Sequence, residues 1–73
     1  MSKKQIQRAQ ALLVGIEKML IEYVGKEDYI RLSSFIYRLN SIKGKAFNTR
    51  YYPNVLKSLE KLHREVKEWV EGL

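Results

Sequence analysis

Few residues in this 73-residue chain have the chemistry to make or break a covalent bond. His63 is the only histidine and there is no cysteine, so neither a thiolate nucleophile nor an ordinary zinc site can be built. The glycines are scattered singly, which excludes a glycine-rich phosphate loop, and the acids show no metal-loop spacing. His63 falls at the edge of an apolar stripe between Leu56 and Val70 and reads as a boundary packing residue. The neighbouring pair His63–Arg64 is of a kind that can serve RNA cleavage, but nothing locates a partner for it. The expectation is a non-catalytic protein with no cofactor and no metal.

What remains is the chemistry of charge and of aromatic stacking. The formal charge is +6, and it is unevenly spread. Between Asp28 and Glu60 there is no acid, whereas Arg31, Arg38, Lys43, Lys45, Arg50 and Lys57 are all basic. Guanidinium groups grip phosphate in bidentate fashion, and nearby hydroxyls add hydrogen bonds. Within the same region, "IKGKAFNTRYYPN" (residues 42–54) brings Phe47, Tyr51 and Tyr52 beside Arg50. Aromatic rings of that kind stack on unpaired bases, Tyr51 being the stacking candidate, or Phe47 and Tyr52 simply close the open end of the core with Tyr51 half exposed.

Three helices must position these groups. Ile6, Ala9, Leu13, Ile16, Leu20 and Tyr23 recur at spacings of three and four after the candidate cap Ser2, with Leu12, Met19 and Val24 widening the stripe. Gly25 suits the end of that helix. Glu27 and Asp28 suit the start of a second, in which Tyr29, Leu32, Phe35, Ile36, Leu39 and Ile42 form the buried stripe and Gly44 the stop, with Ala46 and Phe47 a further turn if it continues. A third begins at Pro53, tolerated in a first turn, and carries Val55, Leu56, Leu59, Leu62, Val66, Trp69, Val70 and Leu73 inward. Its outer face holds opposite charges at i, i+4, such as Glu60–Arg64 and Lys61–Glu65. With no strand-like alternation, the pattern predicts a single all-α domain over residues 1–73. It is a compact three-helix bundle, up-down-up, with helices roughly at 3–24, 28–43 and 53–71.

That topology gathers the charge. Lys3, Lys4 and Arg8 join Arg38, Lys43, Lys45, Arg50 and Lys57 at one pole, while Glu22, Glu27, Asp28, Glu68 and Glu71 go to the other. On the second helix Arg31, Arg38 and Lys45 recur every seven residues, with Ser34 and Ser41 alongside; the spacing predicts a basic line pointing into water. Two apolar pairs are left over, Val14 with Ile21 and Ile30 with Tyr37, each seven apart and away from the main stripes.

A chain this short supports a net stability of only ~3–5 kcal/mol, so regular packing or self-association must supplement the core. Its longest apolar run, "ALLVGI" (residues 11–16), is far below the ~18 residues of a membrane span, and the cysteine-free composition reads as cytoplasmic. A helix-turn-helix is disfavoured, because residues 44–52 are too long for its tight turn and the third helix alternates in charge. The leading expectation is therefore binding of a nucleic-acid backbone, or another acidic partner, through Lys3, Lys4, Arg8, Arg31, Arg38, Lys43, Lys45, Arg50 and Tyr51. The alternative is a protein-interaction module, most simply a homodimer, using Val14, Ile21, Ile30 and Tyr37.

Overall fold

A computed structural model describes residues 3–23, 29–46 and 52–72, the side chains of residues 45, 46, 52 and 53 excepted. Three α-helices follow in order: α1 Lys3–Glu22, α2 Tyr29–Ala46 and α3 Tyr52–Glu71. The expected caps Ser2, Gly25, Glu27 and Asp28, and the apolar residues Val24, Phe47 and Leu73, lie outside the described residues.

α2 does not stop at Gly44 but continues to Ala46. The glycine has no left-handed backbone and makes no turn, and a Cβ added there would meet nothing within 4 Å. Helix propagation past it costs only ~1 kcal/mol relative to alanine, which the two preceding turns, anchored by Leu39 and Ile42, can carry. At α3, Pro53 sits in the first turn, where no hydrogen bond requires its missing N–H. The far end closes with the Gly72 N–H donating to the Glu68 carbonyl at 3.1 Å.

Cross-helix contacts fix the topology. Gly15 lies against His63, and Tyr23 against Trp69, so α1 and α3 ascend together. Lys43 meets Glu17 and Phe35 meets Trp69, so α2 runs the other way. This is the up-down-up bundle the periodicity predicts. α1 packs most extensively on α3, and least on α2.

The core is built from Ala9, Ile16 and Leu20 of α1, Leu32, Phe35, Leu39 and Ile42 of α2, and Val55, Leu59, Leu62 and Val66 of α3. Burying side chains of this size stabilises by ~1.5–3 kcal/mol each, the main force opposing chain entropy. Among the described residues no polar or charged side chain is buried. Trp69 is half-buried against the core, its ring 5.9 Å from Tyr23 and 5.5 Å from Phe35, so one aromatic cluster ties all three helices together. Tyr29 and Ile36, expected in the α2 stripe, are exposed instead. The buried set Leu32–Phe35–Leu39–Ile42 centres on one side of the helix, and at ~100° per residue Tyr29 and Ile36 fall past its edge towards α1.

Candidate functional site

Three cations of the basic pole, Arg8, Arg38 and Lys43, are paired with acids. Lys3 and Lys4 are exposed in the first turn of α1. Arg8 donates from Nε to Glu60 Oε1 at 2.9 Å, and Lys43 donates from Nζ to Glu17 Oε1 at 2.7 Å. Arg38 donates from Nη2 to Glu65 Oε2 and lies 6.0 Å from the centre of the Phe35 ring. The segment around α2 lacks acids, but α1 and α3 supply them from either side. Glu60 and Glu65, at i, i+4 from Arg64 and Lys61, pair across the bundle with Arg8 and Arg38. Lys45 lies in the last turn of α2 with its side chain outside the described residues, as are Arg50 and Tyr51 entirely.

The predicted basic line on α2 is displaced from where the heptad spacing puts it. Arg38 lies only ~80° round the helix from the centre of the buried stripe, so it borders α3 and is half-buried. Arg31 joins it along a groove between α2 and α3 that also holds Ser34, Glu65 and Glu68, with Phe35 and Trp69 beneath. The hydrogen bond from Arg38, together with the charges of Arg38, Lys61 and Arg64, holds the Glu65 carboxyl below the usual carboxylate range against the opposing effect of burial. A phosphate entering this groove would meet two carboxylates. A second α2–α3 groove, ~270 Å³, is lined by Tyr37, Arg38, Ser41, Ile42, Ser58 and Lys61, and no acid is among these.

Directly opposite the buried stripe stand Ile30, Tyr37 and Gly44, ~180° from the core direction. Ile30 is 87% exposed and Tyr37 76%. Ser33, Ser34, Asn40 and Ser41 flank them, all exposed. Of the α2 side chains described, only Arg31 is both charged and exposed, because Arg38 and Lys43 lean back towards Glu65 and Glu17. Exposed apolar residues continue over α1. Ile21 is 71% exposed, Val14 is exposed too, and a groove of ~180 Å³ between the helices is lined by Leu20, Ile21, Ile36, Leu39 and Asn40, with Glu17 and Lys43 at its rim. Tyr29, 64% exposed, extends it at the start of α2.

The structure thus brings Ile30 and Tyr37 onto one helix face and sets Val14 and Ile21 on the neighbouring helix. Sequence reasoning missed Tyr29 and Ile36 as members of this surface. The available signal was that α2 has more apolar positions than one stripe can bury.

His63 is half-buried, and a Cβ placed on Gly15 would stand 3.4 Å from its Nε2, so the imidazole packs against α1 at Gly15. Among the described residues no group of three or more His, Asp or Glu is disposed to hold a metal ion, and no helix is long and apolar enough to cross a membrane. No family model, no curated protein and no solved structure matches this chain.

Proposed function

We propose that this chain is a non-catalytic assembly module whose working surface is the uncharged face of α2 and the adjoining edge of α1, and that its partner there is a second copy of itself. One observation carries the reading. In a chain that is 30% charged, the outward line of α2 presents Ile30 and Tyr37 among serines and an asparagine, Tyr29 and Ile36 are exposed on the flank towards α1, and among the described side chains no charge stands between them. Large apolar side chains gathered on a surface mark contact sites, whereas single ones do not. The +6 charge argues for where self-contact occurs: two copies repel through most of their surface and least through this face. Arg38 and Lys43 at its borders are paired with Glu65 and Glu17. Sedimentation equilibrium tests the proposal. The mass should rise towards that of a dimer with concentration and hold or increase in ~1 M salt, where screening length falls to ~3 Å. A mass that stays monomeric at millimolar protein would overturn it.

The groove of Arg38, Lys61, Ser41 and Ser58 favours a second reading, contact with a nucleic-acid backbone. Fluorescence anisotropy with labelled single- and double-stranded DNA and RNA separates the two. Phosphate binding would weaken steeply with salt through counterion release, opposite to the response expected of the apolar face.

A further inference from the structure

Ile30, Tyr37 and Gly44 are seven residues apart and share one line on α2. Tyr37 lies at the middle of the Tyr29–Ala46 helix, with Ile30 and Gly44 equally far on either side. Among the described residues, Gly44 has no packing partner inside the monomer. It makes no turn, its backbone is ordinary helix, and beyond its own helical turn a Cβ there would meet nothing within 4 Å among the described residues. A glycine that weakens a helix without serving a turn marks a place where something approaches closely.

Resting on the assembly reading above, we infer that two copies pair through antiparallel α2 helices about a two-fold axis at Tyr37, each copy's Ile30 seated over the other's Gly44. A two-fold interface requires a self-complementary patch, in which residue i meets j and j meets i. The line Ile30–Tyr37–Gly44 satisfies this when reversed on itself, the most exposed aliphatic side chain of α2 meeting the one position of that helix without a side chain. The flanks are Ser34 and Ser41 on one side and Ser33 and Asn40 on the other, small enough not to hold the helices beyond the ~10 Å separation that the Tyr37 pair at the axis sets. A parallel pair would stack Gly44 on Gly44 and leave a gap. It would also set both basic poles, with Lys3, Lys4 and Lys57, side by side, while the antiparallel pair places them at opposite ends of the dimer.

The chain has no cysteine, so single cysteines report the register directly. Under mild oxidation Tyr37→Cys should form a disulfide-linked dimer at least ~10-fold faster than Lys67→Cys on the outer face of α3, because pairing raises the local thiol concentration. Ile30→Cys and Gly44→Cys should each cross-link slowly alone and rapidly when mixed. Equal rates for either alone and for the mixture would overturn the antiparallel register. So would Tyr37→Cys reacting no faster than Lys67→Cys while the unsubstituted protein still doubles its mass, in which case the assembly reading stands and only the register falls. Should the unsubstituted protein remain monomeric, the assembly reading fails and the inference with it.

Discussion

Reversing the charge of Arg38 separates a cation engaged in the fold from one available to a phosphate. The Arg38–Glu65 pair joins α2 to α3 with side chains 35% and 38% exposed. A hydrogen bond to a charged group contributes ~1.5–3 kcal/mol when sheltered. Solvated surface pairs contribute ~0–1 kcal/mol, so this half-sheltered one should contribute about 1 kcal/mol. In Arg38→Glu a second carboxylate stands near Glu65. At a separation of ~5 Å and an effective dielectric of ~60 their repulsion adds about 1 kcal/mol. The combined loss of ~2 kcal/mol is a large part of the ~3–5 kcal/mol a core of this size supplies. With a urea slope of ~1 kcal/mol/M, the unfolding midpoint should fall by ~2 M. Trp69 is the only tryptophan and lies 5.5 Å from Phe35, so its fluorescence reports on this junction. The swap Arg38→Glu with Glu65→Arg should recover about half of the loss. A midpoint shift under ~0.5 M, or no recovery in the swap, would refute the reasoning and return Arg38 to the pool of free surface cations.

Three further outcomes follow from the same contacts. Leu62→Ala removes a fully buried side chain, and a cost of ~2–5 kcal/mol should abolish the cooperative thermal transition seen by circular dichroism. Gly15→Ala should stabilise by ~0.5–1 kcal/mol in urea, since the new methyl meets His63 at ordinary contact distance and the helix gains propensity, whereas Gly15→Leu should destabilise by displacing the imidazole. Glu65 binds its proton less readily folded than unfolded, so the stability it contributes is present above the usual carboxylate pKa and lost as pH falls through the depressed folded value. Glu65→Gln should therefore flatten the decline of stability on acidification, read as urea midpoints at successive pH values.

The helices and their order are legible because spacings of three and four repeat for many turns and each stripe finds a neighbour. α3 is clearest, its buried residues Val55, Leu59, Leu62 and Val66 following the spacing throughout. α2 is ambiguous for a physical reason. It is apolar on two sides, and only the placement of α1 and α3 decides that Leu32 and Phe35 go inside while Tyr29 and Ile36 stay out. The ion pairs are less legible still. Arg8–Glu60, Arg38–Glu65 and Lys43–Glu17 join residues separated by 52, 27 and 26 positions, so the acid-free stretch in the sequence becomes a surface with carboxylates in space. The pairs Val14–Ile21 and Ile30–Tyr37 are legible in the sequence because they are surplus to what one core can bury. In the sequence Gly44 reads as a stop signal, since glycine commonly ends helices. Its place opposite the core emerges only once α2 is seen to pass through it.

The account turns on whether the uncharged face or the basic pole is the working surface. Sedimentation equilibrium, run side by side on the natural chain and on the double variant Ile30→Lys/Tyr37→Lys, decides it most directly. Both positions are exposed in the monomer, so the variant should keep its helical signal and unfolding midpoint at low protein concentration. The account predicts that the natural chain reaches dimer mass, in ~1 M salt as in dilute buffer, and that the variant stays monomeric throughout. A variant that associates as well as the natural chain, or a natural chain that never leaves the monomer, would contradict it.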